Sequence, residues 1–489
     1  MTWDNEFDSI KKKNLCFNCV REDFLRRAIQ VNGKRKKCSY CDKVRKTYSI
    51  GEMSERIKEA FAEHYIRTSD QPSGFQYSML GGSESGYEWV REGTNVVYAI
   101  MNAADIPENA ASDIQQILDN EFGDFESAAM GEETEFSPES YYDEKGADDS
   151  NWKMEWMQLE KSLKSQARFF NRHAGQHLAT IFDDIDTMNT REGHPLIIDA
   201  GPETLLAALY RARVFQSDES LAEALQRPDL HIGSPPSDHA SAGRMNAKGI
   251  SVFYGATDPN VALAEVRPPV GSQVVIARFE ILRPLRLLDL TALEKVSAEG
   301  SIFDPVYSRI LEKAMFLRSL TRRITKPVMP NDEAFEYLIT QAIADFLANE
   351  ANTNIDGIIF PSVQVAGVAL NVVLFHKAAQ IVEIDLPTGT EVKVSLGIMG
   401  EDGWEVDYSI IEQVPPENDD REKLPRFPEL GNYDLDNIGD QDDLDNFSGN
   451  KTLKIDLKSL KVHVVKAVGF TTDEYSVSRH RWEKREHEF

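Results

Sequence analysis

The chain has 489 residues, with 54 Lys/Arg against 81 Asp/Glu and a formal net charge of -27. That length suggests about three domains, and the acidic balance argues against non-specific nucleic-acid binding by the whole protein. The start MTWDNEFDSIKKK has no apolar h-region and no stretch approaches a membrane span, so a cytoplasmic protein is expected, neither exported nor inserted in a membrane.

The charge is uneven. Residues 1–50 carry 13 Lys/Arg against 6 Asp/Glu, whereas residues 101–150 carry 15 Asp/Glu against one Lys. All four cysteines lie in the basic head, as Cys16, Cys19, Cys38 and Cys41. Two C-x2-C pairs separated by 18 residues can present four thiolates tetrahedrally to one zinc ion, so residues 1–50 are expected to form a zinc module rather than a secreted disulfide scaffold. Between the pairs, Asn32 to Lys37 (NGKRKK) reads as a turn followed by four basic residues. Such charges suit phosphates or simply a solvated turn, and the lack of interleaved aromatics favours the turn.

Residues 51–190 read as a mainly helical N-terminal domain. Ile57, Ala60 and Phe61 share one helical face, and Ile114, Ile117 and Leu118 share another. GGSESGYEW, from Gly81, reads as a loop, and the acidic stretch 126–151 as a mobile linker. Trp152 to Met188 reads as one long helix with Leu159, Leu163, Phe169, Phe170 and Leu178 as core positions. Inside it, Arg168 and His173 stand five apart, as in the Arg-x4-His pattern of HEPN-type ribonucleases. Phe169 occupies a place where that pattern wants a polar residue, so a structural role is the preferred reading.

A new unit is expected over 196–387. Leu205 to Phe215 (LLAALYRARVF) is apolar apart from Arg211 and Arg213, which suggests a guanidinium at the edge of a core. Ile250 to Ala256 reads as a strand, Asn260 to Arg267 as a short helix ending at Pro268, Gln273 to Leu282 as a strand, and LRLLDL as more β structure. Asp304 to Thr321 looks helical. Phe335, Leu338, Ile339, Ala342, Ile343, Phe346 and Leu347 follow the core face of a helix over Asp332 to Leu347. Strands Ile355 to Phe360 and Val368 to Phe375 close the unit around the loop PSVQVAG. Residues 388–415 read as a β extension, 416–450 as an acidic linker, and 451–489 as a C-terminal tail with strand-like alternation.

In the central unit Arg211, Arg244, Tyr254, Glu265 and Ser362 are polar groups standing in or beside apolar elements. Arg clamps phosphate, an aromatic ring stacks on a flat heterocycle, and a lone carboxylate stabilises a positive centre or orients a hydroxyl. Together they suit a phosphorylated ligand bearing a ring and a ribose. Each residue also has a plainer role: Arg213 or Arg267 as surface charge, Tyr254 as core, Glu265 as a helix cap, Ser362 as a loop hydrogen bond.

The stretches GRMNAKGISVFYGATDPNVALAEVRP, YLITQAIADFL, DGIIFPS and NVVLF resemble, in order and approximate spacing over roughly Leu196 to Ala379, the RES family, named for an Arg, a Glu and a Ser. The four-Cys head resembles the N-terminal region attached to some RES proteins and grouped with HEPN domains. The resemblance implies an α+β fold with a mixed sheet like that of ADP-ribosyltransferases. It places the family's catalytic Arg, Glu and Ser on Arg244, Glu265 and Ser362, its strand Tyr on Tyr254, and an earlier Arg on Arg211, with Arg213 close by.

Members of the family consume NAD, some by phosphorolysis with inorganic phosphate to ADP-ribose phosphate and nicotinamide, and many are growth-arresting toxins held by an antitoxin. The expectations are therefore NAD as substrate, phosphate as co-substrate, structural zinc, a regulatory protein partner at the N-terminal region, and a homo-oligomer among the assembly states. Three alternatives are an ADP-ribosyltransferase of the same fold, a zinc-dependent nucleic-acid-binding or ribonuclease protein using Arg168 and His173, and a non-catalytic scaffold with the zinc head as a docking module.

Overall fold

The computed structural model describes residues 8–72, 74, 89–123, 130, 132–146, 148–329, 331–350, 354–365, 369–400, 403–415, 451–469 and 472–481. Two units each hold most of their contacts internally. The first is Met1–Leu196 with Thr291–Lys326, and the second is Ile197–Leu290 with Pro327–Phe489.

In the first unit, strands Asn14–Cys16, Lys34–Lys37 and Val44–Ser49 form a three-stranded antiparallel sheet. The basic run expected to follow a turn is itself a strand. The chain reverses at Gly33, where a Cβ would lie 2.4 Å from the Ile29 carbonyl oxygen. The helix Ile50–His64 starts on a reciprocal cap between Ser49 and Glu52, which satisfies donors the first turn leaves open. It buries Ile57, Ala60 and Phe61, while Glu108–Phe122 buries Ile114, Ile117 and Leu118, as their spacing predicts. One apolar cluster joins Leu15 and Leu25 of the head to Ile57, Ile114 and Phe303. The four-Cys head and the helices therefore share a core rather than forming two domains.

The acidic stretch 126–151 also departs from expectation. Within it Tyr141–Glu144 is the middle strand of a second three-stranded sheet, and Phe136 and Tyr142 are buried. Two aromatic anchors outweigh a composition that reads as solvated. Glu133 in the same stretch takes two hydrogen bonds from Arg91, at 2.6 and 2.7 Å. Residues 81–88 of the expected GGSESGYEW loop lie outside the described residues.

The single helix expected over Trp152 to Met188 is two, Ser150–Ser165 and Arg172–Phe182. Asn171 starts the second by accepting the Ala174 N–H, which makes a new helix N-terminus where periodicity alone shows continuity. Leu159, Leu163 and Leu178 are buried, but Phe169 and Phe170, in the break, are 84% and 101% exposed. Tyr307–Thr325 packs in this unit too, with Phe316 stacked on Trp152 at 5.6 Å between centroids.

The second unit is built on an eight-stranded mixed sheet. Its strands in chain order are β1 (Ile197–Ala200), β2 (Ala208–Phe215), β3 (Phe253–Ala256), β4 (Gln273–Ile281), β5 (Leu285–Asp289), β6 (Gly357–Pro361), β7 (Leu370–Leu374) and β8 (Leu453–Val464). Their spatial order is β8-β4-β2-β3-β7-β6-β5-β1. Every neighbouring pair is antiparallel except β5 and β6. A parallel pair needs a long crossover, and the connection from Asp289 to Gly357 contains helix α2 (Glu333–Asn349). On α2 the expected core face is buried at Ile339, Ile343, Phe346 and Leu347, while Phe335, in its first turn, is 49% exposed.

The C-terminal tail is part of this sheet. β8 pairs with β4 from Gln273↔Val464 to Ile281↔Leu453 and buries Leu453 and Ile455 in the core shared by Leu209, Phe253 and Phe279. The expected domain end at 387 thus leaves out one strand of its own sheet. The acidic run 416–450 lies outside the described residues. Among the described residues no helix is long and apolar enough to cross a membrane.

Candidate active site

Helix α1 (Pro259–Glu265) follows β3 after a tight corner. Asp258 caps it by accepting the Asn260 N–H at 2.7 Å, and Pro259 stands at its first position, where a missing N–H costs nothing. Val261 and Ala262 bury one side of α1 against Ala212, Ala256 and Ile276 of the sheet. That packing fixes the helix and puts Glu265 at its last position.

The Glu265 carboxylate is held by two donors. The Ser362 hydroxyl, one residue past β6, donates to Oε1 at 2.5 Å, and Asn371 Nδ2, on β7, donates to the same oxygen at 2.7 Å. Ser362 is itself fixed, because its N–H bonds the Ala369 carbonyl at 2.7 Å and its hydroxyl accepts the Gln364 N–H at 3.1 Å. Both donors converge on Oε1, and among the described residues none is found on Oε2. The carboxylate is thus oriented through one oxygen. Asn371 was not singled out in the sequence, although a polar residue heading the apolar run NVVLF is the signal that could have found it: a buried amide needs a partner.

A second cluster adjoins the first through the sheet. Tyr254 pairs with Val373 and Ala256 with Asn371, so Tyr254 and Asn371 lie on one face as diagonal neighbours. The Tyr254 hydroxyl accepts the Met245 N–H at 3.0 Å and donates to Asn246 Oδ1 at 2.9 Å. A Cβ on Gly243 would lie 2.6 Å from that hydroxyl, which is why the turn carries glycine there. From α2, the Thr340 hydroxyl donates to the Arg244 carbonyl, and Gln341 Nε2 donates to the Gly243 carbonyl at 2.8 Å. The GRMN turn is therefore gripped from both sides. Its Arg244 guanidinium lies 5.0 Å from the Tyr337 ring centroid, a cation–π contact that also escaped the sequence reading.

Alternation along β2 puts Arg211 on the face of Leu209 and Phe215, opposite Tyr254 and Asn371. Its guanidinium lies 5.0 Å from the Phe253 ring centroid, and its buried Nη1 has no hydrogen-bond partner. Burial, then the charge of Arg213, pushes the Arg211 guanidinium down to about 10. Burial pushes the Tyr254 phenol up to about 12, opposed first by the Met245 N–H it accepts and then by the charges of Arg244 and Arg211. Arg213 is exposed and donates to the His231 carbonyl, which accounts for it without a ligand.

In the first unit the four cysteine sulfurs lie within 4.8 Å of one another, with Cys16–Cys41 at 3.6 Å, Cys16–Cys19 at 3.7 Å and Cys19–Cys38 at 3.9 Å. Sulfurs about 2.3 Å from a central zinc in a tetrahedron stand roughly 3.8 Å apart, so the cluster fits the ion. Burial pushes the Cys16 and Cys19 thiols up, a cost that a bound cation removes. Arg168 and His173 are both exposed, on either side of the Asn171 cap, and form no constellation with each other.

Residues 208–394 match the family model for the RES domain, and residues 31–177 match that for HEPN/RES N-terminal domain 1. No curated protein and no solved structure gives a match.

Proposed function

The chain carries a RES domain together with a HEPN/RES N-terminal domain, and on that premise we propose that it cleaves the nicotinamide–ribose bond of NAD, by phosphorolysis to ADP-ribose phosphate and nicotinamide. RES domains are associated with NAD-acting enzymes in toxin-like systems. The observation that supports the reading for this chain is the Glu265 carboxylate, held through Oε1 by Ser362 and Asn371.

The chemistry follows from the leaving group. Nicotinamide is joined to ribose as a pyridinium and departs neutral, so no general acid is required. Positive charge develops on the ribose as oxocarbenium character, as in glycoside hydrolysis. Glu265 faces that charge with Oε2 and accepts a ribose hydroxyl, and its preorganisation avoids reorganisation as the charge forms. Ser362 and Asn371 act by orienting Glu265. Arg244 binds the pyrophosphate or the incoming phosphate, Arg211 adds positive potential from the other face, and Tyr254 fixes the turn that carries Arg244. The electron pair of the broken C–N bond leaves with nicotinamide, and a phosphate oxygen forms the new bond to the ribose carbon.

The zinc module, a regulatory partner at the N-terminal region and a role as a growth-arresting or defence effector belong to the same proposal. Incubation with NAD, with and without inorganic phosphate, tests the reaction by its products. ADP-ribose phosphate that forms only with phosphate supports phosphorolysis. Free ADP-ribose at the same rate in both reactions replaces it with hydrolysis, and labelled ADP-ribose left on macromolecules replaces it with ADP-ribosyl transfer.

A further inference from the structure

Helix α2 meets the GRMN turn along one face. Glu333, Tyr337, Thr340 and Gln341 stand at i, i+4, i+7 and i+8, the spacing that lines side chains up on a helix. Thr340 and Gln341 hold the main chain of the turn by donating to the Arg244 and Gly243 carbonyls. One turn of helix earlier, Tyr337 meets the Arg244 side chain, whose guanidinium carbon lies 5.0 Å from the ring centroid. The ring is itself held, because the Tyr337 hydroxyl donates to Glu333 Oε1 at 3.2 Å. One helix therefore sets both the backbone and the side chain of Arg244.

The electrostatics agree with that contact. Burial pushes the Tyr337 phenol up, and the first charge to oppose the rise is that of Arg244. An Arg side chain loses rotamer freedom when it closes on an anion, and a ring that restricts it beforehand lowers that cost. The ring meets the face of the guanidinium, whereas a phosphate is bound through its N–H edges, so the two do not compete for the same atoms. A carboxylate in the place of the ring would take the edges and offset the charge.

We propose that Tyr337 is a positioning residue, which holds the Arg244 guanidinium ready for the phosphate groups of the ligand and does not touch the ligand itself. The inference rests on the reading of Arg244 as the phosphate-binding residue of an NAD-cleaving site. The phosphate is either the pyrophosphate of NAD or the inorganic co-substrate, so ADP-ribose and inorganic phosphate serve as separate probes.

Isothermal titration of the full chain with each probe tests this, on wild type, Tyr337→Phe, Tyr337→Leu, Arg244→Ala and the Tyr337→Leu/Arg244→Ala double variant. Tyr337→Leu is expected to weaken the probe that depends on Arg244 by about tenfold, and Tyr337→Phe, which keeps the ring, to stay within about twofold of wild type. Once Arg244 is replaced, Tyr337→Leu should cost nothing further. In NAD turnover the loss should appear in KM for the same substrate, with kcat nearly unchanged. Tyr337 is half-buried, and Tyr337→Gln repeats the comparison if the leucine variant does not fold. Equal losses with and without the Arg244 side chain overturn the proposal, because Tyr337 then meets the ligand itself. Unchanged binding by Tyr337→Leu, or no Arg244-dependent binding of either probe to wild type, overturns it as well. A wild type that shows the coupled binding yet leaves NAD intact removes the cleavage reading and keeps the role of Tyr337.

Discussion

Asn371 Nδ2 lies 2.7 Å from Glu265 Oε1, the same oxygen that takes the Ser362 hydroxyl at 2.5 Å. Two donors from neighbouring strands on one acceptor make the carboxylate's direction a property of the sheet. Asn371→Ala should lower NAD turnover by about 10- to 100-fold, as loss of an orienting partner does, with little change in KM. Ser362→Ala should behave similarly, and the double variant should cost less than the sum of the two because they share one oxygen. Steady-state kinetics on the three variants check this; strict additivity would argue that Ser362 acts on the ligand independently.

Arg211 is a cation on an apolar face with Nη1 unpartnered, relieved only in part by the Phe253 ring. Replacing it by an apolar side chain of similar length removes a desolvated charge. Arg211→Met should therefore raise stability, by about 1 kcal/mol after allowing for the lost cation–π contact. Exposed Arg213→Met should leave stability nearly unchanged. Denaturant midpoints measure both, and a lower midpoint for Arg211→Met would show that the cation has a partner in solution.

The sulfur cluster predicts one zinc per chain. Because Cys16 and Cys38 are buried and Leu15 belongs to the shared core, losing the ion should destabilise the whole first unit rather than fray its end. Metal analysis together with thermal melts, with and without a chelator, is the check. A metal-free protein whose melting ignores the chelator contradicts it.

His64 and His177 are held below the ordinary histidine value of 6.5, in each case by burial first, with a nearby glutamate opposing the drop. His177 Nε2 is also buried without a hydrogen-bond partner. A base whose folded pKa is depressed lets the unfolded chain take the proton first. Their contribution is fully present above the unfolded pKa of about 6.5 and is lost as pH falls from there towards the folded values. Melting temperature should drop between about pH 7 and 5.5, and His177→Gln should flatten that slope. An unchanged slope removes His177 from the account.

β8 covers β4 along nearly its whole length. Ending the chain before Lys451 exposes that edge and strips Leu453 and Ile455 from the core, so the truncated protein should aggregate or melt well below the full chain. Size-exclusion chromatography and thermal melts decide this. A soluble truncation with unchanged melting would make the strand an ornament.

Much of the second unit was legible because its strands are short apolar runs and its helices periodic: Gln273–Ile281 and Glu333–Asn349 lie within a residue or two of expectation. Glu265, Ser362, Tyr254 and Arg244 were legible as polar residues in apolar surroundings. What escaped depends on pairing across the chain. Asn371 gains meaning only when β7 brings it to α1, Arg211 takes its face from the register of β2, and β8 joins the sheet after a long acidic stretch. Composition misled where a few buried side chains decide structure, as with Phe136 and Tyr142, and periodicity misled where the cap at Asn171 divides a helix.

The central claim is that an oriented Glu265 breaks the glycosidic bond of NAD. Nicotinamide release from NAD in saturating phosphate, by wild type and Glu265→Gln at equal folded concentration, tests it most directly. The account predicts steady release by wild type and a rate reduced by about 100-fold or more in the variant, as for loss of a preorganised charge-stabilising group. Release by Glu265→Gln at the wild-type rate, or none by wild type, contradicts it.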